Sequence, residues 1–100
     1  MNNVLVMYKV KDFTKWGLNV EEGAGKRKIM GSREAYVYNK KDNPNELVIL
    51  YNWDDLDKAR KYFESDEFKN QIHDAGVEDN PEIIYLERAA NLLDKGRLIG

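Results

Sequence analysis

The sequence predicts an α+β fold with the element order βαββαβ. This is the ferredoxin-like arrangement, a four-stranded antiparallel sheet with two helices on one face. Three observations support it: four short runs rich in Val, Ile, Leu and Tyr, two segments with apolar residues at helical spacing, and a polar Asn-Pro turn between the second and third runs. One hundred residues fit a single domain.

The first half of the chain contains a strand, an interrupted helix and a second strand. Residues 3–9 form the first predicted strand. Asp12 is a suitable N-cap for a helix that carries Phe13, Trp16 and Val20 on one face. Glycines between positions 17 and 31 weaken this helix, so we expect an irregular middle and an end near Gly31. Residues 32–39 are the second predicted strand.

The second half begins with a polar turn at residues 40–45 and continues with the stretch LVILYNWDD, residues 47–55. This third strand lacks the alternation of apolar and polar residues that is expected when one face of the sheet is exposed to solvent. Asp54 is predicted to cap the next helix, whose apolar stripe continues past a second N-cap at Ser65 to Gly76. Pro81 precedes the last strand, residues 82–87, and residues 89–100 form a tail.

Both faces of the predicted sheet are apolar, which predicts a homodimer. Successive side chains in a strand point to opposite faces. We assign to the face beneath the helices the aliphatic set of Leu5, Met7, Ala35, Val37, Val48, Leu50, Ile84 and Leu86. The free face then receives Val4, Val6, Tyr8, Tyr36, Tyr38, Leu47, Ile49, Tyr51, Trp53, Ile83 and Tyr85. A second copy would cover this face, with Val4, Val6, Tyr8, Tyr38, Leu47, Ile49 and Ile83 as the predicted interface.

The composition excludes several classes of protein. A net charge of −2 shows no basic excess, and the densest basic run, residues 26–28, fits the C-terminal turn of a helix, which argues against a nucleic-acid surface. The absence of cysteine excludes disulfides, thiolate metal sites and a cysteine nucleophile. The start MNNVLVMYK is unlike a signal peptide, and no apolar run is long enough for a membrane span. We therefore expect a cytoplasmic protein without a membrane or nucleic-acid partner.

Several motifs resemble those of the antibiotic biosynthesis monooxygenase-like family of dimeric α/β barrels. They are Asp12-Phe13-x-x-Trp16, the stretch ELVILYNWDD at 46–55, ARKYF at 59–63, Ser65-Asp66-x-Phe68, and Ala75-Gly76-Val77 before Pro81. The resemblance covers about residues 4–88. It implies a dimeric barrel domain at residues 1–88 and leaves out the tail at 89–100. Leu92, Leu93, Leu98 and Ile99 indicate that this tail packs on another surface, for which the partner subunit is one candidate.

The family includes cofactor-independent oxygenases of polycyclic aromatic substrates, haem-degrading enzymes and many proteins without an established activity. The haem-degrading branch uses an asparagine on the first strand, a tryptophan on the second helix and a histidine ten residues later. The matching helix positions here are Tyr62 and Ile72, and residues 4–9 contain no asparagine. His73 falls one position too late. The resemblance therefore implies no haem chemistry, and we expect no cofactor.

Six residues are candidates for lining a ligand pocket: Trp16, Tyr36, Tyr51, Asn52, Trp53 and Tyr85. Each has a structural alternative. Trp16 fits a core stripe, the other aromatic residues fit a dimer interface, and the Asn52 amide fits a bond to the next helix. His73 is the only histidine, which excludes a multi-histidine metal site and predicts an exposed helix position. No catalytic residue is assigned.

Two functional classes remain open at this stage. The first is a small dimeric enzyme, an oxygenase or cyclase-like catalyst that binds an aromatic molecule in an apolar pocket and polarises it with tyrosine or asparagine. The second is a non-catalytic dimer that binds an apolar ligand or serves as an interaction module. The sequence shows no evident general base, which favours the second class, whereas an apolar oxygenase site needs few ionisable groups.

Overall fold

The computed structural model describes residues 2–92, 96 and 98–99. The main domain has the predicted order, with helices on one face of a four-stranded antiparallel sheet. Its elements are β1 (Asn2–Lys9), α1 (Phe13–Glu22), α2 (Ala24–Ile29), β2 (Ser32–Lys40), β3 (Asn43–Trp53), α3 (Leu56–Phe63), α4 (Asp66–Asp74) and β4 (Glu82–Glu87). The strands lie in the order β2-β3-β1-β4. The ferredoxin-like prediction is confirmed.

The predicted interruption of the first helix is present at Gly23, which separates α1 from α2. Two predicted caps are also present. The Asp12 carboxylate accepts the backbone N–H groups of Thr14 and Lys15, and the Ser65 hydroxyl accepts that of Phe68. Satisfying these orphan donors fixes where α1 and α4 begin.

The cap of α3 is one residue later than predicted. The Asp55 carboxylate, not that of Asp54, accepts the first free N–H groups of this helix. Asp54 instead binds Arg33 through its carboxylate, and its N–H donates to the Gly31 carbonyl at 2.9 Å. Two adjacent acids cannot be told apart by a pattern that counts only residue types, so the prediction missed by one position.

The two faces of the sheet are opposite to the prediction. The predicted interface residues Val4, Val6, Leu47 and Ile49 are at most 1% exposed and form the core with Ala59, Phe63 and Phe68 from the helices. Tyr8 is buried in the same core, and Ile83 packs against it. Of the seven predicted interface residues, only Tyr38 lies on the uncovered face.

The reason for this error is physical. Alternation along a strand divides its residues into two sets, one for each face of the sheet. When both sets are apolar, this alternation does not show which set the helices cover. The space between a sheet and its helices is about 10 Å deep and must be filled to crystal-like density. The large side chains of Tyr8, Tyr51 and Trp53 fill it, whereas the shorter aliphatic side chains lie on the other face.

The strand β2 deviates in a second way. An irregularity between Ser32 and Glu34 shifts its register, so that Tyr36 pairs with Leu50 and Tyr38 with Val48. Cross-strand partners share a face, which places both tyrosines opposite the helices. Ala35 and Val37 were predicted beneath the helices and do lie on that side by register. They remain exposed, because β2 is an edge strand.

We call the uncovered side of the sheet the open face. By register it carries Leu5, Met7, Tyr36, Tyr38, Val48, Leu50, Ile84 and Leu86. Tyr36 and Tyr38 are 52% and 56% exposed, and the aliphatic side chains are all partly accessible. A continuous apolar surface therefore does exist on one face, although with different residues from those predicted.

Beyond residue 88 the described backbone forms a small separate sheet. β5 (Asn91–Leu92) pairs with β6 (Leu98–Ile99) in antiparallel fashion. Leu92 is exposed. Leu93 and the side chains of Leu98 and Ile99, which were predicted to pack on another surface, lie outside the described residues. In the part of the chain that is described, no helix is both long and apolar enough to cross a membrane.

Candidate functional site

The core beneath the helices contains three tyrosines from three different elements: Tyr8 of β1, Tyr51 of β3 and Tyr62 of α3. Each is at most 5% exposed. Tyr51 and Tyr62 also contact Phe63, with ring centroids 5.3 and 5.1 Å apart. We call the three tyrosines together with Arg27 and Gln71 the phenol cluster. A polar group of this kind inside an apolar core needs partners, and the partners determine what the cluster can do.

The Tyr8 hydroxyl has a partner within the core. The indole N–H of Trp16 donates to it at 2.9 Å, and the two rings meet edge to face with centroids 6.4 Å apart. This bond fixes α1 on the sheet. Trp16, a predicted pocket residue, is therefore mainly a core residue, as its structural alternative proposed.

The Tyr62 hydroxyl donates to Oε1 of Gln71 at 2.8 Å, which joins α3 to α4. The other end of the same amide is unusual. Gln71 Nε2 is buried and has no hydrogen-bond partner among the described residues. The Tyr51 hydroxyl makes no side-chain hydrogen bond within the described part of the chain, where Gln71 Nε2 is the only fully buried side-chain nitrogen or oxygen without a partner. Buried donors without partners are rare in folded proteins, and a ligand is one explanation for them.

Gly23 makes room for this arrangement. A Cβ atom at position 23 would lie 2.2 Å from Gln71 Nε2 and 2.9 Å from Arg27 Nη1. Both distances are shorter than any normal contact of a carbon atom, so a larger residue would displace the two side chains. The glycine that interrupts the first helix thus also allows two nitrogen donors to converge beside it.

Arg27 enters the cluster from α2. Its Nη2 donates to the Val20 carbonyl at 2.9 Å, and its guanidinium interacts with the phenols of Tyr8, Tyr51 and Tyr62. Among the described residues it forms no ion pair with a carboxylate, whereas its neighbour Lys26 pairs with Glu67 at 3.0 Å. Arg27 is thus a partly buried cation that faces phenols instead of an acid.

Burial is the largest influence on the acidity of the three phenols. It raises the pKa of Tyr8 and Tyr62 above the ordinary value and that of Tyr51 to about 12, and the Arg27 charge opposes this only in part. All three phenols are therefore neutral near pH 7. A neutral phenol can donate a hydrogen bond but does not serve as a base, and the Tyr62 hydroxyl already donates to Gln71 Oε1.

A cleft of about 420 Å³ opens between the α1–α2 junction and α4, and it ends on Tyr62 and Gln71. Its other lining residues are Asn19, Glu22, Gly23, Lys26, Glu67, Asn70 and Asp74. We call it the α1–α4 cleft. Apart from Gly23 and Tyr62 its lining is polar, and Tyr62 and Gln71 connect it to the phenol cluster.

A larger cleft of about 920 Å³ lies between α4 and the start of β4. Its inner lining is apolar and includes Phe63, Phe68, Ile72, Val77 and Ile83. The charged lining residues and His73, which is exposed as predicted, lie at its rim. This cleft offers more apolar surface than the α1–α4 cleft, but among the described residues no unpaired buried polar atom lines it.

The predicted pocket residues are divided between different parts of the structure. Tyr51 belongs to the phenol cluster, and Trp53 packs beside it with its indole N–H donating to the Met30 carbonyl at 2.9 Å. Tyr85 lies under the Arg60 guanidinium, 4.6 Å from its ring centroid. Tyr36 and Asn52 lie on the open face, since Asn52 pairs with Asn3. The six residues do not form one pocket.

Tyr62, Gln71, Arg27 and Gly23 were not predicted as site residues. The sequence did offer one indication that Tyr62 belongs to a site, because it occupies the position of the tryptophan in the haem-degrading branch. Nothing in the local pattern distinguishes Gln71 or Arg27 from other polar helix residues. Among the described residues, no group of three or more His, Asp or Glu side chains is arranged to hold a metal ion.

Comparison with solved structures shows extensive similarity of fold at low sequence identity. SnoaB, a cofactor-independent oxygenase from Streptomyces nogalater, superimposes with a TM-score of 0.65 at 13% identity, over 88% of this chain and 94% of that one. A conserved protein from Methanosarcina mazei Go1 gives a TM-score of 0.66 at 20% identity, over 87% and 91% of the two chains. An antibiotic biosynthesis monooxygenase gives 0.65 at 12% identity, over 89% and 99%.

No protein-family model and no curated protein matches the sequence. The structural neighbours nevertheless agree with the resemblance that the motifs indicated, and they cover nearly the whole length of both chains. At these identities the agreement concerns the fold. The chain has the fold of the antibiotic biosynthesis monooxygenase-like proteins.

Proposed function

We propose that this protein binds a small aromatic molecule in the α1–α4 cleft and oxidises it with molecular oxygen, without a cofactor. One observation carries the proposal: Gln71 Nε2 is buried, has no hydrogen-bond partner in the described structure and belongs to a residue that lines a cleft. The fold shared with SnoaB, a cofactor-independent oxygenase, supports the reaction class.

The chemistry proposed is the direct reaction of an activated aromatic substrate with O2. A methylene group next to aromatic rings becomes a carbonyl, and the second oxygen atom leaves as water. The carbon loses four electrons and O2 gains four, so no external reductant is needed. The substrate must first lose a proton, and the resulting negative oxygen needs hydrogen-bond donors in a site with little water. Gln71 Nε2 supplies such a donor, whereas the phenols are already protonated at neutral pH and cannot accept the substrate proton.

We further propose that the protein is a homodimer in which the open faces of two sheets pack against each other. The apolar set on this face supports the proposal, since a monomer seldom leaves a continuous surface of this kind in water. Residues 89–100 would then extend towards the partner subunit. A cytoplasmic location completes the proposal and is supported by the absence of cysteine.

The main alternative is a non-catalytic dimer that binds a small ligand or acts as an interaction module. The raised pKa of all three phenols favours it, because the cluster then contains no base for the first proton transfer. The two functions share the binding site and differ only in whether oxygen is consumed.

Oxygen uptake separates the two functions. Anthrone, a tricyclic compound with one reactive methylene group, serves as the probe substrate in an oxygen electrode, with anthraquinone measured by absorbance. The proposal expects uptake above the rate without protein, one quinone formed per O2, and a lower rate for Gln71→Leu. Binding of anthrone without any acceleration of oxygen uptake would instead establish the non-catalytic function.

A further inference from the structure

The carboxamide of Gln71 is held in one orientation, and this orientation decides what the side chain offers to the α1–α4 cleft. Its Oε1 accepts from the Tyr62 hydroxyl at 2.8 Å, so Nε2 is the end that lies beside Gly23, 2.2 Å from the position of the missing Cβ. Gly23 and Gln71 both line the cleft. The amide therefore presents a hydrogen-bond donor there, whereas an inverted amide would present an acceptor.

The surroundings of Nε2 do not favour this orientation by themselves. Arg27 Nη1 approaches the same point beside Gly23, at 2.9 Å from the Cβ position. A guanidinium carries only donors, and so does the NH2 end of an amide. Two donors thus lie side by side, and Nε2 has no partner among the described residues. An inverted amide would place Oε1 beside the cation and form a charge-assisted hydrogen bond.

The Tyr62 hydroxyl opposes this inversion. Its oxygen is hydrogen-bonded to Arg27, which can donate but cannot accept. The single proton of the hydroxyl is therefore left for Gln71, and only Oε1 of the amide can receive it. Tyr62 is 3% exposed, so an inverted amide would deprive a buried proton of its acceptor. The bond from Tyr62 keeps the amide in the orientation that its other neighbour disfavours.

We propose that Tyr62 is the positioning residue of the ligand site: its hydroxyl holds the Gln71 amide with Nε2 available to an oxygen atom of a ligand in the α1–α4 cleft. This inference rests on the proposed ligand site and adds how its donor is oriented. Arg27 contributes only indirectly, through the Tyr62 oxygen, because it lines a different cavity together with Ala24, Lys28 and Ser32.

The orientation of the amide can be measured without a ligand. In isotope-labelled protein, the side-chain amide protons of Gln71, identified by their absence in Gln71→Leu, should show nuclear Overhauser effects to the α protons of Gly23. Tyr62→Phe should abolish these effects, because the amide then turns its oxygen towards Arg27. Tyr85→Phe is the matched control, since it removes the same hydroxyl from a tyrosine outside the cleft, and it should leave them intact. Effects that are missing in the wild type, or unchanged in Tyr62→Phe, would overturn the inference.

Binding measurements connect this orientation to the ligand site. Anthrone and 9,10-dihydroanthracene share a tricyclic skeleton, and only anthrone carries a carbonyl oxygen. Quenching of tryptophan fluorescence under argon gives both dissociation constants. The wild type should bind anthrone about fivefold or more tightly, the size expected for one hydrogen bond. Tyr62→Phe should remove most of this preference and leave the affinity for dihydroanthracene unchanged, whereas a general loosening of the site would weaken both probes.

A double-mutant cycle shows whether Tyr62 acts through Gln71. Gln71→Leu should abolish the preference for anthrone, and adding Tyr62→Phe should change it no further. Losses that add would mean that Tyr62 contacts the ligand itself, which contradicts a positioning role. If Tyr62→Phe keeps the wild-type preference, the positioning role alone is wrong. If the wild type binds neither probe, the proposed ligand site is wrong and the positioning role falls with it.

Discussion

The hydrogen bond between Trp16 and Tyr8 permits a sharp test of the structure. In Tyr8→Phe only one oxygen atom is lost, so packing and volume are preserved. The Trp16 indole N–H, which donates to that oxygen at 2.9 Å, would then be left without an acceptor in a side chain that is only 3% exposed. Stranding a buried neutral donor costs about 1–3 kcal/mol. We therefore expect Tyr8→Phe to lower the free energy of unfolding by about 2 kcal/mol.

Tyr51→Phe is the matched control. It removes the same atom from a neighbouring phenol of equal burial, but the Tyr51 hydroxyl makes no hydrogen bond to another described residue. Its removal leaves no stranded partner and should change the stability by less than about 0.5 kcal/mol, or increase it.

Urea unfolding followed by tryptophan fluorescence and circular dichroism measures both effects. With an m-value of about 2 kcal/mol per M, the midpoint of Tyr8→Phe should fall by roughly 1 M, while that of Tyr51→Phe stays near the wild type. Protein concentration must be equal in all samples, because a dimer unfolds in a concentration-dependent way. Equal midpoints for the two variants would show that the Trp16 bond does not stabilise the core, and the packing of α1 on the sheet would have to be reconsidered.

Three further changes test other parts of the structure. Leu50→Glu places a charge on the open face and should convert the proposed dimer to monomers in sedimentation velocity, whereas Leu18→Glu, on the exposed surface of α1, should not. Gly31→Ala should cost about 1–3 kcal/mol in thermal or urea unfolding, because Gly31 has φ +111° and a Cβ would lie 2.8 Å from the indole nitrogen of the β3 tryptophan. Gly17→Ala has nothing within 4 Å of the new Cβ and should stabilise α1 by about 0.5–1 kcal/mol. Finally, burial raises the pKa of Tyr51 from 10.0 to about 12, so the folded state retains a proton that the unfolded chain releases. The associated stability is complete below pH 10 and should fall by roughly 3 kcal/mol as the pH rises towards 12, a slope that Tyr51→Phe should reduce in urea titrations at several pH values.

Local chemistry explains which features of the fold could be predicted from the sequence. Asp12 and Ser65 precede helices with no competing acceptor nearby, so their roles as caps followed from residue type and position. Asp54 and Asp55 are both acceptors, and only the backbone geometry decides which one caps α3. The faces of the sheet were inverted because both sets of side chains are apolar, and the shift in β2 near Arg33 exchanged Tyr36 and Tyr38 relative to their neighbours.

The candidate site could be predicted only in small part. Tyr8, Tyr51 and Tyr62 come from three elements, and Arg27 and Gln71 come from two more. No spacing along the chain relates them, because their proximity results from the way the helices cross the sheet. Tyr51 was predicted as a pocket residue because it is aromatic, while Gln71 resembles any exposed helix glutamine. Its unpaired Nε2, the feature that identifies it, exists only in the folded protein.

The sheet separates the proposed ligand site from the proposed dimer interface. The α1–α4 cleft lies on the helix side, whereas the open face lies on the opposite side and contributes no residue to that cleft. The proposed ligand site would therefore be complete in each chain, and the proposed dimer would protect apolar surface without contributing to that site. A monomeric Leu50→Glu variant should accordingly keep the affinity of wild type for anthrone, at one ligand per chain. A loss of binding that parallels the loss of the dimer would instead place the ligand between the two sheets, where Tyr36 and Asn52 could reach it.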